Sequence, residues 1–223
     1  MTINEEMVTL TASDGFVLDA FIAHADGDRK GGLVILQEIF GVTDQLKSVA
    51  RSYAADGYDT IVPALFDRVS PQTVVPFDDP DGGRALMMQL DVDAVMLDID
   101  AARAHVDQGK GVSVLGFCFG GGIALKAATT LALTSAISYY GTKLTTFLDA
   151  PPKCPTLFHF GETDMMNTPP DVIDAVQKAI PGAETHIYAA GHAFANDARA
   201  TYVADAAEPA RERSLAFLNT HHS

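Results

Sequence analysis

Six short and almost unbroken apolar runs, at 32–36, 59–63, 111–115, 135–139, 156–160 and 184–188, set the strongest limit on how this chain can fold. Runs of that length without polar alternation suit strands buried on both faces, and such strands need helices on either side of the sheet. Helical candidates lie between them at 44–55, 92–106, 119–130, 171–180 and 198–218, several with a capping residue ahead and glycine or proline behind. Strand-then-helix alternation predicts an α/β fold with a doubly wound, mostly parallel sheet. Ahead of it, 8–10 and 17–22 flank Ser13-Asp14-Gly15 and read as an antiparallel hairpin. The stretch 66–83, rich in proline and aspartate, is the one long irregular connection, either part of a cap or a surface loop.

With 223 residues, 48% of them apolar, the chain can bury one large core, and a single domain over 1–223 is expected. A formal charge of −14 repels nucleic acid and anionic membrane surfaces alike, so neither is an expected partner. Residues 1–7 have neither the basic flank nor the apolar core of a signal peptide, and no later stretch reaches the ~18 apolar residues of a membrane span. A cytoplasmic protein is expected. Cys118 and Cys154 are too few for a disulfide framework, and neither has a second cysteine or a histidine at metal-ligand spacing, so no metal is expected. Cys154, just before Pro155 at a strand entrance, reads as a core thiol.

The chemistry centres on Gly116-Phe117-Cys118-Phe119-Gly120-Gly121, at the end of the 111–115 run. Small residues two before and two after a nucleophile let the backbone turn sharply from strand to helix, leaving the side chain at the strand's carboxyl end. This is a nucleophile elbow with cysteine in the serine position. The alternative is an ordinary glycine-rich turn holding an inert thiol. The loops after the 156–160 and 184–188 runs decide between them, for they carry Gly161-Glu162-Thr163-Asp164 and Gly191-His192-Ala193-Phe194. Nucleophile, acid and histidine thus occur in the chain order an α/β-hydrolase needs, each on a loop after its own strand. Asp164, deeper in its loop, is preferred over Glu162 as the partner of His192. Gln37-Glu38-Ile39-Phe40-Gly41, after the first parallel strand, stands where such folds place a second oxyanion donor, which points to the N–H groups of Ile39 and Phe119. Glu38 follows an apolar run and is expected near the sulfur, where a carboxylate opposes thiol ionisation while His192 and the helix N-terminus favour it.

These segments, with Tyr139-Tyr140-Gly141 and the final helix at 202–218, resemble the dienelactone hydrolases (carboxymethylenebutenolidases) of the α/β-hydrolase fold over nearly the whole chain. The resemblance implies a cofactor-free hydrolase of small esters or lactones. Cys118 attacks the carbonyl, His192 exchanges the proton, Asp164 orients His192, and Glu38 holds the resting thiol. Tyr140 lines the substrate pocket as a hydrogen-bond donor, Phe40 is placed there with it, and a monomer is expected. Members acting on the chlorocatechol-pathway lactone bind its carboxylate with two arginines. Asn196 occupies one of those positions here, and the other falls at or near Pro80, leaving Arg84 and Arg68 as substitutes. An amide makes no two-pronged, charge-assisted contact with a carboxylate. A second reading makes Cys118 a redox-sensing or ligand-binding thiol on a hydrolase scaffold that does not turn over.

Overall fold

The computed structural model describes residues 3–222, which fall into two compact units divided between Ser113 and Val114. In the first, β1 (Glu5–Thr11) and β2 (Val17–Ala23) form the antiparallel hairpin, in register from Glu5 opposite Ala23 to Thr11 opposite Val17. Gly15, at φ 85°, takes the left-handed position of the turn, where a side chain would be strained. β3 (Gly31–Leu36), α1 (Asp44–Ala55) and β4 (Tyr58–Pro63) make the first parallel crossover, and the strand order is β1-β2-β4-β3. α1 starts where Thr43 Oγ1 accepts from the Leu46 N–H at 3.1 Å, and it buries Leu46, Ala50, Tyr53 and Ala54.

The expected irregular stretch 66–83 is partly helical. A 3₁₀ turn spans Leu65–Arg68, and α2 (Pro80–Met87) opens on Asp79, whose side chain accepts from the Gly82 N–H at 3.0 Å, with Pro80 in the first turn. Two adjacent glycines, Gly82 and Gly83, mask this helix in the sequence. A Cβ on Gly83 would overlap the carbonyl oxygen of Ile39, so close packing decides the residue against helix propensity. α3 (Val92–Val106) follows, capped by Asp91 and burying Val95, Met96, Ile99, Ala102 and Val106.

In the second unit the strands β5 (Val112–Phe117), which begins just before the division, β6 (Ala136–Tyr139), β7 (Thr156–Gly161) and β8 (Glu184–Tyr188) run parallel in sequence order. Their helices are α4 (Phe119–Thr130), α5 (Pro170–Ala179) and α6 (Ala204–His221). Phe158 and Phe160 point from one face of β7 and stack at 5.8 Å in a core with Leu125, Leu144, Ile173 and Val176. β8 is an edge strand with Glu184 and Ile187 exposed, so the expectation of burial on both faces fails for 184–188.

α6 begins six residues later than the sequence predicts. Asn196 turns the chain first, its Oδ1 accepting from the Ala198 N–H at 3.1 Å and its carbonyl from the Arg199 N–H at 3.1 Å. Such local side-chain bonds compete with the helix.

Candidate active site

β5 delivers Cys118 directly onto α4. The cysteine is 8% exposed and sits at φ 53°, ψ −113°, a left-handed conformation that costs a residue with a Cβ about 1–3 kcal/mol. Hydrogen bonds hold the turn: the Cys118 N–H donates to Tyr139 O, and Cys118 O accepts from the N–H groups of Gly121 and Thr142, each at 3.0 Å. A Cβ on Gly116 would overlap the Gly120 carbonyl oxygen, so the turn needs glycine there. Phe119 is the first residue of α4, and its N–H is among the donors a helix leaves without an intrahelical acceptor.

Asp164, 3% exposed, lies three residues beyond the end of β7. Its Oδ2 is 2.6 Å from His192 Nδ1 and accepts from Thr168 Oγ1 at 3.3 Å. Its Oδ1 accepts from Asn167 Nδ2 at 2.9 Å and from the Asn167 N–H at 3.2 Å. Burial would raise this carboxyl, but His192 and Asn167 outweigh it and hold the group below the usual carboxylate range. Glu162 is exposed and is not the carboxylate on His192. Asn167 and Thr168 were not singled out from the sequence; their signal is Asp164-x-x-Asn167-Thr168 ahead of two prolines, a spacing that suits side-chain capping.

His192 also bonds the Cys118 side chain. Burial disfavours its charged form, yet the hydrogen bonds to Asp164 and Cys118 prevail and push the imidazole up to about 10. The Tyr140 ring meets His192 edge-on at 5.1 Å and Phe194 at 5.3 Å, walling the imidazole on one side. The unit therefore joins a thiol, an imidazole and a buried carboxylate in one hydrogen-bonded line. Asn196 is buried, with its side-chain oxygen already serving Ala198. Cys154 is half-buried, and burial pushes its thiol up to about 11.

In the first unit Glu38, Ile39 and Phe40 are buried just after β3. Gln37 braces them: its Nε2 donates to Glu38 O at 3.3 Å and its Oε1 accepts from the Leu65 N–H at 3.1 Å. Phe40 packs edge-on against Phe77 at 4.9 Å. The two substitute arginines differ sharply. Arg68 is committed within the fold, its Nε donating to Asp98 at 2.7 Å and its Nη1 to Asp14 at 2.9 Å, with the guanidinium 4.4 Å from the Phe16 ring centroid. Arg84 is 55% exposed and pairs with Asp81 one helical turn away. A cavity of about 380 Å³ in this unit is lined by Met7, Gln37, Val42, Lys47, Phe66 and Val74 among others. Among the described residues no group of three or more His, Cys, Asp or Glu side chains is placed to hold a metal ion, and no helix is long and apolar enough to cross a membrane.

A family model for the dienelactone hydrolase family matches residues 18–222. A carboxymethylenebutenolidase of Pseudomonas putida is 32% identical over 226 residues, covering 96% of this chain and 95% of its own. One of Pseudomonas knackmussii shows the same identity and coverage. A crystal structure from Klebsiella pneumoniae, of a protein provisionally named a dienelactone hydrolase, superposes with a TM-score of 0.86 at 25% identity, over 98% of this chain and 99% of the other. The dienelactone hydrolase of Anabaena variabilis, at 18% identity, shares the fold with a TM-score of 0.72 over 99% of each chain. The chain thus belongs to the dienelactone hydrolase family and is a hydrolase of the α/β-hydrolase fold.

Proposed function

We propose that this chain hydrolyses small esters or lactones through a thioester on Cys118. The observation that carries the reading is the unbroken line from Cys118, at the elbow, through His192 to Asp164 Oδ2 at 2.6 Å. In the reacting pair His192 already holds the Cys118 proton, so the thiolate attacks the carbonyl carbon and the carbonyl π pair moves onto oxygen. That oxyanion is assigned to the N–H groups of Phe119 and Ile39. Collapse breaks the C–O bond, and the departing alkoxide takes the proton from His192; from a lactone the alcohol stays on the acyl chain. Water then attacks the thioester, giving one proton to His192, and collapse releases the carboxylic acid and returns the thiol. Glu38 is assigned to hold the resting thiol. The reading places the reaction in the cytoplasm, where a thiol stays reduced, with the chain acting as a monomer.

The named relatives are carboxymethylenebutenolidases, and that substrate class is carried over with one change. Arg68 is neutralised by Asp98 and Asp14, and Asn196 is buried with its amide oxygen engaged. Arg84 is thus the remaining one of the three with its charge at the surface. Phe40 and Tyr140 are assigned to line the substrate pocket, Tyr140 as a hydrogen-bond donor. The test is hydrolysis of cis- and trans-dienelactone beside p-nitrophenyl acetate, comparing wild type with Cys118→Ala and Arg84→Ala. Cys118-dependent turnover is expected. Dienelactone turnover that weakens in Arg84→Ala assigns that arginine to the substrate carboxylate, and ester-only turnover assigns a substrate without one. Undiminished hydrolysis by Cys118→Ala, or no turnover alongside reversible Cys118 oxidation, overturns the reading.

A further inference from the structure

His159 is fully buried in the middle of β7, and the catalytic scheme makes no use of it. It lies in register with Tyr139 on β6 and His186 on β8, and so shares a sheet face with both. Two residues beyond His186, Tyr188 lies on that face too. His159 Nδ1 is 2.8 Å from the Tyr188 hydroxyl, and Nε2 is 2.9 Å from Ser214 Oγ on α6. Ser214 Oγ lies 2.7 Å from the Tyr139 hydroxyl, and Arg213 Nη1 donates to the Tyr188 hydroxyl at 3.0 Å. The ring centroid of His159 is 4.4 Å from that of Tyr139 and 6.0 Å from that of His186.

The direction of this chain follows from its one obligate donor. A guanidinium only donates, so the Tyr188 oxygen accepts from Arg213, and the Tyr188 proton is assigned to His159 Nδ1, the acceptor within reach of it. Nδ1 is then an acceptor, the ring proton sits on Nε2, and Nε2–H donates to Ser214. A protonated imidazole would take away the acceptor of the Tyr188 proton and bury a second positive charge near Arg213. Burial, with His186 and Arg213 nearby, keeps His159 neutral.

The main chains of the two tyrosines in this network carry the triad. Tyr139 O accepts the Cys118 N–H at 3.0 Å, holding the elbow. Tyr188 O accepts the N–H groups of Glu162 at 2.8 Å and Ala190 at 2.7 Å, one on the loop of Asp164 and the other on the loop of His192. His159 O accepts the N–H of Tyr140, whose ring walls His192. We propose that His159, as the Nε2–H tautomer between Tyr188 and Ser214, is a positioning residue that fixes in common the three segments presenting Cys118, Asp164 and His192. This rests on the reading of those three as the catalytic group.

The test compares Tyr188→Phe, Ser214→Ala, His159→Leu and His159→Gln with wild type. The measurements are p-nitrophenyl acetate kinetics and the pH profile of Cys118 alkylation by iodoacetamide, both well below each variant's unfolding temperature. Tyr188→Phe and His159→Leu are expected to lower kcat roughly 10- to 100-fold with KM within about twofold, since a displaced base costs rate before binding. The alkylation midpoint moves by about half a pH unit or more as the thiol–imidazole contact loosens. His159→Gln, which can accept from Tyr188 and donate to Ser214, recovers most of the lost rate. A purely structural network would lower unfolding midpoints and leave kcat and the alkylation profile of the folded protein unchanged, and that result overturns the proposal. If His159→Leu does not fold, Tyr188→Phe and Ser214→Ala decide. If hydrolysis does not depend on Cys118, the functional reading fails, and the alkylation profile still judges the network because it needs only the thiol and imidazole in contact.

Discussion

Asp164→Asn changes one atom in a site built wholly of donors. Oδ1 receives two hydrogen bonds from Asn167, at 3.2 and 2.9 Å, while Oδ2 faces His192 at 2.6 Å and Thr168 Oγ1 at 3.3 Å. An asparagine must keep its oxygen toward Asn167 to satisfy both donors, which turns its amide N–H₂ toward His192. Nδ1 then becomes an acceptor, and the ring proton moves to the nitrogen facing Cys118, where no base remains for the thiol. Restoring the productive tautomer means flipping the amide against two donors, about 1–3 kcal/mol, and forgoing a charge-assisted bond, about 1.5–3 kcal/mol. The sum of about 3–6 kcal/mol corresponds to a loss of roughly 10²- to 10⁴-fold in acylation rate. Stopped-flow measurement of the p-nitrophenolate burst reads that rate directly, with near-ultraviolet circular dichroism to establish an intact fold. The deficit should narrow at alkaline pH, where the thiol ionises without a base. Acylation within threefold of wild type at neutral pH, in a folded variant, would refute the tautomer argument.

Other perturbations separate structural charges and backbone constraints from chemistry. Arg68→Met strands the fully buried Asp98 carboxylate and should cost about 3–5 kcal/mol in urea unfolding, whereas Arg84→Ala, which removes an exposed pair, should cost under about 1 kcal/mol; equal costs would show that Arg68 is not committed to the fold. Gly116→Ala drives a methyl into the Gly120 carbonyl and should destabilise by about 1–3 kcal/mol or more, so an unchanged urea midpoint would contradict the elbow geometry. His192 is raised in the folded state, so its stabilisation is full below its unfolded value of 6.5 and is lost as pH rises toward about 10. The difference in thermal midpoint between wild type and His192→Ala should therefore shrink across that interval, and a constant difference would remove the ionic contribution.

Parallel strands announce themselves because burial on both faces leaves little room for polar residues, which is why β3 to β7 follow the apolar runs closely. Where local pattern and packing conflict, the sequence misleads. Gly82 and Gly83 disguise α2 because each allows a close approach, Gly82 to the capping Asp79 side chain and Gly83 to Ile39, and Asn196 delays α6 through bonds that no periodicity displays. Arg68 reads as a free cation in sequence because its partners, Asp98 and Asp14, stand 30 and 54 positions away. The same holds for His159: inside an apolar run it looks like a strand residue, and its partner Ser214 is 55 positions on. Chain order reveals which loops carry Cys118, Asp164 and His192; only the fold reveals what holds those loops to one another.

Backbone strain marks the elbow, the residue that follows β6 and the loop of His192. Cys118 at φ 53°, Tyr140 at φ 38° and Ala193 at φ 61° are left-handed residues bearing a Cβ, and each adjoins or belongs to the thiol–imidazole contact. Such conformations persist only where neighbours over-determine them. Here the Cys118 N–H donates to Tyr139 O, the Tyr140 N–H to His159 O and the Asn196 N–H to Ala193 O. Ala193→Gly tests whether the strain serves placement. Glycine removes about 1–2 kcal/mol of left-handed cost and adds about 0.5–1 kcal/mol of unfolded-chain entropy, so the urea midpoint should hold or rise slightly. If strain at Ala193 aims the imidazole, kcat should fall in that same variant while KM stays near wild type, because the backbone beside His192 gains freedom. Destabilisation by more than about 1 kcal/mol would mean that the buried methyl matters more than the backbone; equal stability with undiminished kcat would mean that His192 is aimed by Asp164 and Tyr140 alone.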